Sequence, residues 1–298
     1  MAIIVLDAPS NLGLRMPAPG VVPGCYKLPW ALRDRGLLPR LGATDAGAVV
    51  PGRYDVSGWS PGDGVFNAAA IADFTARLAD RVEALAGPEL LLVLGGDCGI
   101  ALGATLGLRR RGRYGLVYVD GHTDFRHTGN STAVGAVGGE ALAVVTGRGQ
   151  AAVADLGGLG PYVRDEDVAL LGLHEPGDPD LAEARATLPL ALTVEEVRDR
   201  GVRAAADAAL ATVLGGGAEG LWVHVDADVL DPSVMPAVDS PEPDGLTPEE
   251  LTELLSLLAS HPRTVGVDVA IYDPDLDPAG SAADALTDVV TSALERRR

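Results

Sequence analysis

Cysteine is scarce in this chain of 298 residues, where Cys25 and Cys98 are the two present. Two thiols make no disulfide framework, and such sparing use fits a reducing compartment. Aromatic residues are also thin, at 4% of the sequence, which argues against a binding tube lined by rings. Positive charge falls short: 23 Lys and Arg stand against 42 Asp and Glu, a formal net charge of −19. That acidic excess excludes the usual electrostatic footprint of a nucleic-acid binder. No run of about 18 uncharged apolar residues occurs, so no membrane-spanning helix is expected. Residues 1–7, Met-Ala-Ile-Ile-Val-Leu-Asp, show neither the basic segment nor the long apolar segment of a secretory leader. The expectation is a cytoplasmic protein acting on a small molecule, with neither a nucleic-acid nor a membrane partner.

What is present is a rhythm. Short apolar runs at 3–6, 89–94, 115–119, 168–171, 221–225 and 264–269 alternate with longer stretches of helical period. Runs without polar interruption suit strands covered on both faces, as in a parallel sheet. Residues 67–86 place Ile71, Phe74, Leu78, Val82 and Leu85 on one face and stop at Gly87-Pro88, which predicts a helix. Thr193 with Glu196, and Thr247-Pro248 with Glu250, are capping-box starts of two more. Residues 280–295 complete the series, while 17–24 and 47–64 read as long surface loops. No linker, repeat or low-complexity stretch divides the chain. The pattern predicts a single domain over 1–298, a three-layer αβα sandwich around a mainly parallel central sheet. In such sheets ligands collect at the carboxyl ends of the strands.

Those ends carry metal-binding side chains. Gly95-Gly96-Asp97-Cys98 follows one run, Asp120-Gly121-His122-Thr123-Asp124 the next, and Asp226-Ala227-Asp228 a third, before Asp231-Pro232. In extended chain alternate residues share a side, so Asp120, His122 and Asp124 can converge, as can Asp226 and Asp228. Four carboxylates and one imidazole aimed at one place repel unless cations neutralise them. An oxygen-rich set with some nitrogen suits Mn²⁺ or a similar divalent ion. One such segment alone could equally be a solvated turn or a helix cap.

Taken together, the segments resemble the ureohydrolases, the arginase, agmatinase and formiminoglutamase family. Its signatures are Gly-Gly-Asp-His, Asp-Ala-His-x-Asp and Asp-x-Asp-x-Leu-Asp-Pro, here matched at 95–98, 120–124 and 226–232 in the same order. Residues 239–247, Asp-Ser-Pro-Glu-Pro-Asp-Gly-Leu-Thr, are similar to a further family stretch, and Leu6-Asp7-Ala8-Pro9 with Asn11-Leu12-Gly13 to its first strand and loop. The resemblance implies two Mn²⁺ ions bridged by Asp120 and Asp226. Asp124 would hold one ion, and His122 and Asp228 the other. A water acidified by both ions would attack a guanidinium or amidine carbon. Asp231 is expected to orient its loop. The resemblance also implies a homo-oligomer, a trimer or hexamer.

The sequence departs from that family at several places. Cys98 stands where the first signature has its histidine ligand. A thiolate there favours Zn²⁺, Fe²⁺ or Co²⁺, but Cys98 could also weaken one site or be a plain buried thiol. Ile271 stands where related enzymes hold the guanidinium with a carboxylate, flanked by Asp268 and Asp273. The expected histidine between 135 and 140 is missing. His127 and Glu140 are the candidate replacements for proton transfer, Arg126 for pairing with a substrate carboxylate, and His174 with Glu175 for the far end of the substrate. His224 shares the inward direction of Asp226 and reads as a core or supporting histidine. His261 reads as a surface residue. The expected function is metal-dependent cleavage of a carbon–nitrogen bond in a linear guanidino or amidino compound. Two alternatives stay open: a non-catalytic binding or assembly relative, and a metal-dependent amide deacetylase.

Overall fold

Strands form where apolar side chains run unbroken, because only a strand sandwiched between two helical layers hides both of its faces. The computed structural model describes residues 2–174 and 180–295. In it the expected runs become β1 (Ile3–Asp7), β3 (Leu90–Leu94), β4 (Tyr114–Val119), β5 (Val168–Leu173), β7 (Gly220–Asp226) and β8 (Thr264–Ala270). Two edge strands complete them: β2 (Thr44–Ala48) and β6 (Leu190–Thr193). All eight lie in one sheet of order β2-β1-β3-β8-β7-β4-β5-β6, and every pairing is parallel.

The edge strands lacked the apolar signal. β2 reads Thr-Asp-Ala-Gly-Ala and is largely exposed, and it takes the first residues of what read as the 47–64 loop. β6 has four residues, too few for a clear alternation. The helix Ile100–Arg109 escaped notice for the opposite reason. It is apolar all round and buried along nearly its whole length, so it shows no single stripe. Gly107 lets it approach the helix Ala68–Leu85, because a Cβ there would lie 2.7 Å from the Ala79 carbonyl oxygen.

The helices fall into two packed groups, one on each face of the sheet. Ala68–Leu85 and Ile100–Arg109 pack with Ala141–Val145 and Ala151–Ala154. Val202–Gly215, Pro248–Ser260 and Ser281–Glu295 pack in series, and Leu28–Asp34 and Leu37–Leu41 join the last. Both predicted capping boxes are present: Thr193 accepts from the Glu196 amide and Thr247 from the Glu250 amide, each glutamate answering the cap's own amide. The three-layer αβα sandwich is therefore the fold.

The strand order also places the site. After β3 the chain skips the positions later taken by β8 and β7, builds β4, β5 and β6 outward, then returns to fill the gap. Such a reversal opens a crevice at the carboxyl ends of the central strands. The turns after β3, β4, β7 and β8 all meet there.

Candidate metal centre

The turn after β3 is fixed from below. Asp97 is buried and accepts from the Ser10 hydroxyl at 2.8 Å, the Gly13 amide at 3.1 Å and the Gly99 amide at 2.8 Å. Those bonds tie the loop after β1 to the turn that opens the helix Ile100–Arg109. They leave Cys98 buried, with Sγ 2.8 Å from Asp226 Oδ2.

From β4 and β7 the acidic residues interlock. The His122 amide donates to Asp120 Oδ1 at 2.7 Å, and the Asp228 amide to Asp226 Oδ1 at 2.8 Å. The Gly121 amide donates to Asp228 Oδ1 at 3.1 Å, and His122 Nδ1 lies 2.9 Å from Asp228 Oδ2. Asp124 turns back at φ 45° and accepts from the Tyr118 hydroxyl at 2.6 Å.

Two groups of donor atoms result. Cys98, Asp120, His224 and Asp226 each bring one ligand atom within 4.8 Å of the others, and Asp120, His122 and Asp228 form a second such group. Asp120 belongs to both. Asp124 stands beside the first group, held by Tyr118, and His224 stands within it. From the sequence Asp124 is expected as a ligand and His224 as a core or supporting histidine; the parity of His224 is visible there, but not the cross-strand partners that aim its ring.

Electrostatics mark the cluster as unfinished without a cation. Burial pushes Asp120 and Asp226 well above the usual carboxylate range, and neighbouring carboxylates push them further. Burial lifts Asp124 to about 7, against the Tyr118 hydrogen bond. Burial acts on Asp228 too, yet the His122 and Gly121 hydrogen bonds outweigh it and hold that carboxyl below its ordinary value. Burial, with the charge of Asp226 next, raises the Cys98 thiol strongly. Asp120 Oδ2 and His224 Nε2 are buried with no hydrogen-bond partner among the described residues. Orphaned acceptors, crowded carboxylates and a thiol fit a divalent ion.

Above the cluster opens a cleft of about 870 Å³. Cys98, His122, Asp124, Asp226 and Asp228 form its floor, and Arg15, Arg126, Asp239, Glu242, Asp273 and Ile271 stand in its walls. Arg126 lies 3.6 Å from Asp180. Ile271 is held at φ 75°, a strained conformation for a β-branched residue. Asp273 accepts from the Gly24 amide at 2.8 Å, closing the wall.

The other candidates lie elsewhere. His127 is absent from the cleft wall and pairs through Nε2 with Glu183 at 2.9 Å. Glu140 is buried behind the cleft, accepting from the Gly135 amide at 2.5 Å. His174 packs behind His122, ring centroids 6.1 Å apart, where burial pushes its pKa down. Glu175 lies outside the described residues. Asp231 accepts from the Ser233 amide at 2.9 Å, in the turn after β7. Tyr118 and Asp268 are the residues sequence reasoning did not single out as supports. Their signal was positional, two polar groups inside strands otherwise apolar.

Known proteins share this fold. The model of the arginase family matches residues 23–295. An arginase from Agrobacterium fabrum is 30% identical over 307 aligned positions, covering 98% of this chain and 90% of the relative. The native structure of the arginase from Bacillus caldovelox superposes with a TM-score of 0.86 at 25% identity, covering 98% of both chains. A formimidoylglutamase structure from Bacillus subtilis shares the fold at 19% identity, with a TM-score of 0.76, over 99% of this chain and 87% of that one.

Proposed function

The chain belongs to the arginase family, and from that premise we propose that it hydrolyses a carbon–nitrogen bond in a linear guanidino or amidino compound with the help of divalent metal. The observation that carries this reading is the pair of donor groups sharing Asp120 at the floor of an open cleft. Divalent ions held there would supply a Lewis acid and a water acidic enough to serve as nucleophile near neutral pH. Asp120 would contribute to both ions, His122 and Asp228 to one, and Cys98 and Asp226 to the other, with Asp124 close by. Mn²⁺ is the family expectation, and the Cys98 thiolate shifts the preference of its site toward Zn²⁺, Fe²⁺ or Co²⁺.

The walls suit a substrate with charges at both ends. Asp239, Glu242 and Asp273 present carboxylates to a guanidinium or amidinium group, while Arg126 and Arg15 present guanidinium groups to a carboxylate. Ile271 removes the carboxylate that would clasp a guanidinium deep in the cleft, so arginine itself is not the substrate proposed. With His127 engaged by Glu183, proton transfer to the leaving nitrogen falls to groups on the cleft floor. We also propose a homo-oligomer in solution, which sedimentation would test.

A second reading, a non-catalytic relative, is favoured by Cys98 and Ile271 standing at positions where the family has functional groups. A screen of guanidino acids, formimino compounds and acyl-amines, each with Mn²⁺, Zn²⁺ and Co²⁺, separates the readings. Metal-dependent release of urea, ammonia or amine from a guanidino or amidino compound supports the proposal. Turnover of acyl-amines alone would move the assignment to amide hydrolysis. Inertness toward the whole panel would leave the non-catalytic reading.

A further inference from the structure

Resting on the metal-centre reading above, we infer that His224 is itself a ligand, binding through Nε2 the ion held by Cys98, Asp120 and Asp226. Three strands converge on this ring. Tyr118 on β4 and Asp268 on β8 are its register partners on either side. Tyr118 stacks on it, with ring centroids 4.2 Å apart and planes 23° from parallel. Asp268 pairs with Nδ1, and the same carboxylate accepts from the Trp222 indole, two residues back on β7. With Nδ1 engaged by a carboxylate, the ring proton sits on Nδ1 and the lone pair on Nε2. That is the arrangement of a carboxylate–histidine–metal relay.

The free end of the ring has nothing else to do. Nε2 is fully buried and unpartnered among the described residues, and so is Asp120 Oδ2 in the same cluster. No hydrogen bond joins the two, and with Asp120 ionised both are acceptors. A cation meets both at once. A histidine serving only the core would be expected to have its second nitrogen bonded, since leaving it bare costs about 1–3 kcal/mol. His224 and Asp226 lie two residues apart on β7, on one face of the strand. The same strand therefore supplies both an imidazole and a carboxylate, and Cys98 completes a set of one sulfur, one nitrogen and two oxygen donors. Such a set selects Zn²⁺, Co²⁺ or Fe²⁺ over Mn²⁺. Cys98 is then one half of an exchanged donor pair. Asp268 is a positioning residue that acts through His224.

The test is equilibrium dialysis against Zn²⁺, with X-ray absorption at the zinc edge. Wild type should bind two ions per chain. His122→Ala should retain one, whose spectrum shows both sulfur and imidazole scattering. His224→Gln should bind that ion more than about 100-fold more weakly, beyond the 10–100-fold loss typical of supporting residues, while the ion at His122 and Asp228 stays. Asp268→Asn should weaken the same ion by about 10–100-fold and leave the other unchanged. Two ions of wild-type affinity in His224→Gln would overturn the inference and spare the metal reading. A single zinc in His122→Ala without imidazole scattering would overturn it without depending on whether His224→Gln folds. Wild type that binds no ion would remove the metal reading itself.

Discussion

Tyr118 and His224 face each other across β4 and β7 with their rings stacked, and the same Tyr118 hydroxyl restrains Asp124. One side chain thus orients two members of the cluster, by packing in one case and by hydrogen bonding in the other. The two roles separate by substitution. Tyr118→Phe should cost roughly 1–3 kcal/mol of stability in the metal-free protein through the lost hydrogen bond. Tyr118→Ala should cost about 3–5 kcal/mol, because a buried ring is removed as well. Urea unfolding of the two variants gives both numbers. Equal losses would show that the stack contributes nothing.

Gly266 is the ground on which Trp222 rests. A Cβ at Gly266 would lie 2.0 Å from the Trp222 ring, whose indole in turn supports Asp268. Gly266→Ala should destabilise the protein by about 1–3 kcal/mol through overpacking. Thermal unfolding checks this. An unchanged melting temperature would mean that Trp222 moves aside freely and does not hold Asp268 in place.

Ile271→Glu returns a carboxylate to the cleft wall opposite the acidic floor. For a cationic substrate identified by the panel, KM should fall by about tenfold, the effect of one hydrogen bond to a charged group. Steady-state kinetics read this directly. A KM raised for every cationic substrate would show that position 271 does not face the reacting group.

Metal removal should destabilise the fold. Four buried carboxyl groups, Asp120, Asp124, Asp226 and Asp228, are then left to repel one another or to take up protons. An ion present at 100 times its Kd stabilises the folded state by about 2.7 kcal/mol. Chelation of the loaded protein should therefore lower the melting temperature, and Zn²⁺ should restore it. A melting temperature indifferent to chelator would mean that the folded protein carries no ion it binds in preference to the unfolded chain.

The sheet and the acidic floor were legible because both rest on local signals. Buried runs such as Leu90–Leu94 have no polar residue to misread, and the carboxylates sit immediately past the strand ends that aim them. β2 was invisible because an exposed edge strand needs no apolar face. The place of His224 was half legible. Its parity with Asp226 showed the direction, but only the register of β4 and β8 beside β7 reveals that Asp268 occupies one ring nitrogen and leaves the other bare. His127 looked available because its partner Glu183 lies 56 residues away in sequence. Long-range pairing of this kind is what one strand or loop cannot announce by itself.

A buried cluster of this kind is a metal centre only if the protein retains ions through purification or takes them up when supplied. The most direct measurement is elemental analysis of protein purified without chelator or a metal-leaching tag, before and after supplying Mn²⁺ and Zn²⁺. Two ions per chain are predicted, with zinc retained in preference to manganese at the Cys98 site. Protein that remains free of metal after both are supplied would show that the cluster is not a metal centre.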